Sequence, residues 1–242
     1  MNQFIAAGKS DVGLKRSNNE DALLVKPDLG FCLVADGMGG AAAGEISSQI
    51  LSDTALEVFQ NTSTSTREET VSQVQRVFGL ANERIQTHIR QYPQHTGMGC
   101  TAELFAFSGA DFVIGHIGDS RTYRLADGRL KQITKDHSLV QEQIDLGLIT
   151  PAEARTHSMR NVISRAVGVE EDLALDIIRG KAARGDLFLL CSDGLTDMLS
   201  DHIIQEAVLS VSPMEDKITQ LIDRAKAAGG LDNITVALVE IV

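Results

Sequence analysis

Short, continuously apolar runs alternate along the chain with longer stretches in which apolar residues recur every three or four positions. The runs FCLVA (31–35) and LFLLC (187–191) predict buried strands. Apolar positions recur at helical spacing in the segments 43–59 and 71–89, which predicts two long amphipathic helices. A polar stretch, NTSTST (61–66), lies between these segments and predicts a loop.

The middle of the chain has a different pattern. Residues 101–133 are rich in alternating and β-branched residues, which predicts strands. Within this segment, Asp127-Gly128 predicts a two-residue hairpin turn between strands at 122–125 and 130–133. Short helices are expected within 138–165, where TPAE (150–153) predicts a capping box with proline at the first helical position.

The last third of the chain predicts strands near 173–179 and 186–191, a helix through 218–225 and a final strand over 234–239. Strands and helices therefore come in blocks and not in strict alternation. This order favours antiparallel sheets flanked by helices over a doubly wound parallel fold.

Composition narrows the possible functions. The 242 residues suffice for one large domain or two small ones, and no segment is long and apolar enough to cross a bilayer. The first residues lack the basic start and apolar stretch of a signal peptide, so we expect a cytoplasmic protein. The formal net charge of -11 disfavours nucleic acid and anionic membranes as partners.

Several catalytic chemistries are excluded. A cysteine-nucleophile phosphatase needs an arginine six positions after the cysteine, but Met38, Ala106 and Asp197 occupy those positions. Cys32 and Cys191 lie in apolar runs and are expected to be buried hydrophobic residues. The chain has no P-loop, no nucleophile elbow and no zinc-binding motif. The six histidines are scattered and are expected at the surface or as satisfied core residues. Aspartate chemistry remains.

Two aspartate-glycine pairs, Asp36-Gly37 and Asp193-Gly194, each close an apolar run. We interpret both as sharp turns in which glycine lets the backbone carbonyl approach a ligand. Two carboxylates at sheet ends, far apart in sequence, predict two halves of one site for a hard metal ion. An isolated Asp-Gly pair is also a common turn without chemistry, so the interpretation depends on the surrounding motifs.

The two pairs belong to a set of six motifs. In chain order these are DVGLKRSNNED (11–21), DGMGG (36–40), GCT (99–101), GDSR (118–121), SDG (192–194) and GLDNIT (230–235). Together they resemble the metal-dependent protein phosphatases, the PPM or type 2C family, in its compact bacterial form. The resemblance extends from Asp11 to Val239.

The resemblance implies an α+β fold, a four-layer αββα sandwich of two mainly antiparallel sheets flanked by helices. A single catalytic domain would cover residues 1–242, with a small flap subdomain at about 138–165 beside a cleft at one end of the sandwich. The implied function is a Ser/Thr phosphoprotein phosphatase. It would hydrolyse phosphoserine and phosphothreonine by direct attack of a metal-bridging hydroxide, and it would oppose a bacterial Ser/Thr kinase.

The resemblance also implies a metal site. Asp36 would bridge two divalent ions, and the Gly37 carbonyl would complete the shell of one of them. Asp193 and Asp232 would bind the other, and Asp119 with Asp193 matches a third metal position. All-oxygen ligands suit Mn²⁺ or Mg²⁺, two or three per chain.

Further positions match residues around the metals. Arg16 would grip the substrate phosphate, so that the catalytic set comprises Asp36, Asp193, Asp232 and Arg16. Glu20 and Asp21 match positions that hold metal-bound waters. On the residues alone, Arg16 could be an ordinary surface cation.

Three further positions have a structural alternative or differ from the family pattern. Asp119 could cap a turn. Arg121 is expected in an ion pair near Asp119. Met38 stands where some eukaryotic members have a histidine proposed as general acid, so the leaving-group proton must come from a bound water or another residue.

A second class of function stays open, a pseudophosphatase that binds phosphoproteins without turnover. The discriminating feature is an intact ligand set, and Asp36, Asp193 and Asp232 are all present. The expected partners are phosphorylated proteins and a cognate Ser/Thr kinase. We expect neither nucleic acid nor membrane as a partner, and we expect a monomer.

Overall fold

The computed structural model describes residues 4–39, 43–62 and 66–242. Three sequence features fall partly outside these ranges: the first three residues, Gly40 of the DGMGG motif, and the centre of the predicted polar loop at 63–65.

The described strands are, in chain order, β1 (Phe4–Asp11), β2 (Asp21–Lys26), β3 (Phe31–Met38), β4 (Gly99–Cys100), β5 (Ala102–Ser108), β6 (Asp111–Ile117), β7 (Arg121–Ala126), β8 (Arg129–Gln132), β9 (Asp176–Lys181), β10 (Leu187–Cys191) and β11 (Ile234–Ile241). They form two sheets. The first sheet has the order β1-β11-β10-β7-β8, and the second has the order β2-β3-β5-β6-β9 with β4 beside β3. Every described strand pair is antiparallel, as the block order of elements predicted.

The described helices are α1 (Gly44–Asn61), α2 (Arg67–Gln91), α3 (Leu139–Asp145), α4 (Pro151–Ala154), α5 (Asp193–Thr196), α6 (Asp201–Leu209) and α7 (Met214–Ala227). A single 3₁₀ turn, Pro93–His95, follows α2. No described helix has the length and apolar character that a bilayer crossing requires.

Three hydrophobic layers hold the elements together. Helices α1 and α2 pack on the outer face of the second sheet, and α5, α6 and α7 pack on the outer face of the first sheet. Between the two sheets lies an aromatic core that includes Phe105, Phe112 and Phe188. The predicted αββα sandwich is therefore confirmed.

The strand β10 shows why the apolar runs are continuous. Leu187, Leu189 and Cys191 face the helix layer, whereas Phe188 and Leu190 face the core between the sheets. Because alternate side chains of a strand point to opposite faces, a strand buried on both faces has no polar positions to alternate with.

The local predictions are largely confirmed. The hairpin turn at Asp127-Gly128 has positive φ at both residues, as a type I′ turn requires, and it joins β7 to β8. The capping box of Thr150 and Glu153 begins α4. Both predicted long helices are present as α1 and α2.

In the last third of the chain, one predicted strand begins later than expected, and two helices were not predicted. The strand expected near 173–179 is β9, which begins only at Asp176. Leu173 and Leu175 lie in irregular chain before it and pack against the core under α1 and α2, which gave that segment its strand-like apolar pattern. Helices α5 and α6 were not predicted.

Candidate metal centre

A cleft of about 530 Å³ opens where the two sheets end. It is bounded by the segment 12–20, by the end of β3, by the β6–β7 connection, by the start of α5 and by the residues before β11. All predicted site residues except Asp21 line it: Arg16, Glu20, Asp36, Gly37, Asp119, Asp193 and Asp232. The topology thus brings together residues from distant parts of the chain.

The two aspartate-glycine pairs are not turns, and that interpretation was wrong. Gly37 lies within β3, paired with Cys100 of β4, and Gly194 lies in the first turn of α5. Both positions require glycine because of close backbone contact. A Cβ atom at Gly37 would lie 2.1 Å from the Gly44 carbonyl oxygen, and one at Gly194 would lie 1.9 Å from the Asn233 carbonyl oxygen.

Asp36 is at the centre of the carboxylates. It pairs with Asp21 across the β2–β3 ladder, and the Thr101 amide donates a hydrogen bond to its carbonyl oxygen (2.9 Å). Burial raises the pKa of the Asp36 carboxyl well above its usual range, and neighbouring carboxylates, first Asp21 and then Asp193, raise it further.

Asp193 and Asp119 share this environment. Burial raises the pKa of both carboxyls, and each is raised further by neighbouring acids, Asp193 by Asp119 and Asp119 by Asp136. The buried Oδ1 of Asp193 accepts no hydrogen bond from any residue that the structure describes. Buried carboxylates this close together cannot all be ionised unless a cation compensates them.

Asp21 lies behind the cleft in a cage of hydroxyl groups. Its Oδ2 accepts hydrogen bonds from Ser192 (2.9 Å) and Thr235 (2.5 Å), and the Thr235 hydroxyl also contacts that of Ser10. Its Oδ1 is buried and accepts no hydrogen bond from a hydroxyl or amide group in the part of the chain that the structure describes. The two hydroxyl groups therefore fix one carboxylate oxygen behind Asp36, with which Asp21 pairs across the ladder.

Arg16 forms an ion pair with Asp232, with 2.7 Å between Nη2 and Oδ2. The Arg16 side chain is 51% exposed, and the hydrogen bond that it donates to Asp232 raises its pKa despite partial burial. The guanidinium thus remains a cation at the mouth of an otherwise acidic cleft. A planar guanidinium can bind two phosphate oxygens at once.

The donor set fits a hard divalent cation. The cleft offers carboxylates and the Gly37 carbonyl, which are the oxygen ligands that Mn²⁺ and Mg²⁺ prefer. Within the described ranges, no three His, Cys, Asp or Glu side chains converge closely enough to form a complete ligand cluster. The protein would therefore supply only part of each shell, and waters would supply the rest, as is usual for Mg²⁺.

The region around the predicted flap also contacts the site. Segment 138–165 starts and ends side by side through a bridge between Ser138 and Ile163, and Asn161 and Ile163 line the cleft. Arg121 forms the expected ion pair. Its partner is Asp136, with Nη2–Oδ2 at 2.6 Å, and Asp136 is close enough to raise the pKa of Asp119.

Sequence reasoning missed two buried polar features, one next to the cleft-lining Asp232 and one in the core. Asn233 was quoted within a motif but received no role, although it is buried and makes three hydrogen bonds. Glu103 and His116 form a buried ion pair, and Thr122 of the other sheet donates to the same carboxylate. A charged residue in each of two adjacent apolar strands was the available signal, because buried charges are usually paired.

The chain combines an αββα sandwich with an acidic cleft where the two sheets end. This architecture is expected of metal-dependent phosphatases. The chain belongs to the protein phosphatase 2C family, whose model matches residues 14–238. The family and the fold predicted from the sequence are thereby confirmed.

Named relatives are similar over nearly the whole chain. The Ser/Thr protein phosphatase PstP of Mycobacterium tuberculosis is 39% identical over 237 residues, which is 98% of this chain but 45% of the relative. This chain thus spans about half the length of that relative. The protein phosphatase PhpP of Streptococcus pneumoniae is 38% identical, with 95% of this chain and 94% of the relative covered.

Solved structures agree with the fold. The catalytic domain of PstP, in complex with two manganese ions, superposes with a TM-score of 0.90 at 36% identity. The match covers 99% of this chain and 98% of that one.

Proposed function

We propose that this chain is a metal-dependent phosphatase that hydrolyses phosphoserine and phosphothreonine in proteins. The observation that carries the proposal is the cleft itself, where buried carboxylates with raised pKa values surround Asp36 and a single exposed arginine, Arg16, pairs with Asp232. The cleft carboxylates would repel a phosphate unless metal cations compensate their charge. Arg16 supplies a further positive charge that can bind the phosphate oxygens.

The proposed ligand set follows the cleft. Asp36 with the Gly37 carbonyl, together with Asp193 and Asp232, would hold two Mn²⁺ or Mg²⁺ ions, and Asp119 with Asp193 would hold a third. The buried Oδ1 of Asp193, which has no hydrogen-bond partner among the described residues, supports this assignment. Bound ions of this kind lower the pKa of water and neutralise charge on transferring phosphoryl oxygens.

The remaining residues would orient the substrate and water. Arg16 binds phosphate oxygens, and Glu20 accepts a hydrogen bond from water in the cleft. Asp21, whose position matches a residue that holds a metal-bound water, lies directly behind Asp36 and would do so from there. A covalent cysteine route has no support. Cys32, Cys100 and Cys191 are buried, and burial raises the pKa of each thiol, to about 12 for Cys32. Direct attack of water on phosphorus fits these groups.

The proposed biological role is defined by the class of substrate and by the enzyme that produces it. The substrates are phosphoproteins made by a Ser/Thr kinase, and the phosphatase opposes that kinase. We further propose that the chain acts as a cytoplasmic monomer with one catalytic domain, in which segment 138–165 is the flap.

The test uses Mn²⁺-dependent hydrolysis of p-nitrophenyl phosphate and of a phosphothreonine peptide. Wild type is compared with Asp36→Asn, which keeps the shape of the side chain but removes its charge, and with Asp53→Asn on the exposed side of α1 as a matched control. We expect wild type and Asp53→Asn to be equally active, and Asp36→Asn to lose at least about 10²-fold.

Two outcomes would contradict the proposal. Absence of activity in wild type with Mn²⁺ would favour the pseudophosphatase alternative, which peptide binding by calorimetry would then identify. Full activity in Asp36→Asn would show that the chemistry is located elsewhere.

A further inference from the structure

Asn233 connects the two chain segments that face each other across the mouth of the cleft. It is 4% exposed. Its Nδ2 donates to the carbonyl oxygens of Val12 and Asn18 (3.0 Å each), and its Oδ1 accepts from the Glu20 amide (2.8 Å). One amide side chain thus satisfies three backbone groups of the segment between β1 and β2.

That segment carries two residues that line the cleft, Arg16 and Glu20. The Arg16 side chain is half-exposed, and its only described hydrogen bond goes to Asp232, the residue that precedes Asn233. Glu20 is held through its backbone, where its carbonyl accepts from the Ser48 hydroxyl (2.6 Å) and from the Gly37 amide (3.1 Å). The position of Arg16 therefore depends on the path of the backbone around it.

No other protein partner of the Val12 carbonyl, the Asn18 carbonyl or the Glu20 amide occurs among the described residues. Backbone groups that lose their partner must find water or move. Loss of the Asn233 side chain would therefore remove one hydrogen bond at the Val12 end of the loop that carries Arg16 and two at its other end. The bonds to the Glu20 carbonyl and the bond from the Leu14 amide to the Gly230 carbonyl would remain, so the loop would loosen around Arg16 without detaching.

We propose that Asn233 is a positioning residue that holds Arg16 in place to receive the substrate phosphate. The inference rests on the proposed function, because it assigns the phosphate to Arg16. It concerns the backbone of the loop, and it requires no change in the carboxylates themselves.

The chain contains a matched control. Asn82 makes the same three-bond pattern from α2, and it is not among the described residues that line the cleft. Its Nδ2 donates to the carbonyl oxygens of Glu170 (2.9 Å) and Glu171 (3.3 Å), and its Oδ1 accepts from the Gly168 amide (2.6 Å). It is 5% exposed. Asn82→Ala and Asn233→Ala therefore remove equivalent bonds, and only Asn233 holds the loop that carries Arg16.

The experiment measures inhibition by inorganic phosphate, together with KM and kcat on a phosphothreonine peptide, at saturating Mn²⁺ on the full chain. We expect both variants to lose similar thermal stability. Only Asn233→Ala should weaken phosphate inhibition and raise KM, each by about tenfold, with a smaller change in kcat. In an Arg16→Ala background, Asn233→Ala should add no further loss of phosphate affinity.

Each outcome decides a separate point. If Arg16→Ala weakens phosphate inhibition but Asn233→Ala does not, the positioning role is overturned and the proposed function stands. If Asn233→Ala weakens inhibition equally with and without Arg16, the effect does not pass through Arg16, and the inference is wrong. Wild type that neither binds phosphate nor hydrolyses the peptide would overturn the proposed function and this role together.

A milder variant guards against loss of folding. Asn233→Ser keeps one hydroxyl donor and should show a smaller effect in the same direction. If both Asn233 variants fail to fold while Asn82→Ala folds, the residue supports the whole fold rather than one loop, and the proposal is overturned.

Discussion

The buried pair of Glu103 and His116 should make the stability of this protein depend on pH. Both side chains are fully buried. His116 Nδ1 contacts the Glu103 carboxylate, His116 Nε2 donates to the Lys135 carbonyl (2.8 Å), and the Thr122 hydroxyl donates to the second oxygen of Glu103. With donors on both ring nitrogens, His116 is held as an imidazolium.

The magnitude follows from the shift in pKa. Burial disfavours the imidazolium, but the charge and hydrogen bond of Glu103 outweigh it and raise the pKa of His116 from 6.5 to about 9. A difference of about 2.5 pKa units corresponds to about 3 kcal/mol. Because the folded-state pKa is the higher one, this stabilisation is fully present below about pH 6.5 and is lost as the pH rises through about 9.

Neighbouring groups leave this dependence intact. His137, whose ring centroid is 4.5 Å from that of His116, stays neutral over the range because burial and the charge of His116 lower its pKa to about 4. Asp136 adds to the negative potential and supports the imidazolium. The cleft carboxyls of Asp36, Asp119 and Asp193 also have raised pKa values and add to the dependence on pH. The contribution of His116 is therefore the difference between wild type and a variant that lacks the Glu103 charge.

The assay is urea unfolding of wild type and Glu103→Gln at several pH values from 6 to 9.5. We expect wild type to lose about 3 kcal/mol of unfolding free energy relative to the variant over this range. Glu103→Gln keeps the size of the side chain but cannot hold the imidazolium, so its profile should be flatter. Parallel profiles for the two proteins would refute the assignment of a charged His116.

Three further predictions concern the cleft and its surroundings. Gly194→Ala should cost about 2–4 kcal/mol in urea unfolding and most of the activity, because its Cβ would lie 1.9 Å from the Asn233 carbonyl, whereas Gly79→Ala in α2, with no atom within 4 Å, should not destabilise. Stability that is unchanged in Gly194→Ala would contradict the close contact. Thr235→Val removes a hydroxyl donor from Asp21 and should cost about 1–2 kcal/mol and weaken Mn²⁺ binding measured by calorimetry; unaltered Mn²⁺ affinity would refute the role of the hydroxyl cage. Replacement of 138–165 by a relative's segment should change phosphopeptide preference more than turnover of p-nitrophenyl phosphate, and equal effects on both would contradict the flap assignment.

The three aspartate-glycine pairs show where sequence reasoning reaches its limit. Asp127-Gly128 forms the predicted turn because its flanking strands and its positive φ values are local properties. Asp36-Gly37 lies in a strand, and Asp193-Gly194 begins a helix. The same dipeptide thus occurs in three conformations, and in the last two the contacts of distant backbone select glycine.

The sequence predicted which residues meet in the site, but it did not predict how the surrounding chain holds them. The motifs identified which carboxylates meet, because each motif is compact in sequence. The helix α6 and the bridging role of Asn233 depend on partners elsewhere in the chain. Ile204 and Val208 of α6 join the core that also contains Leu221 of α7, and the partners of Asn233 lie more than 200 residues away.

The absent side chains of Gly37 and Gly194 have a consequence for how this protein can change. At both positions main chain touches main chain, so no side-chain volume sets the spacing between β3 and the start of α1 at Gly37, or between the start of α5 and the residues before β11 at Gly194. Substitutions in the surrounding core can alter stability without transmitting a displacement to these junctions. Residues at the rim of the cleft can therefore be substituted without changing the close backbone contacts at Gly37 and Gly194.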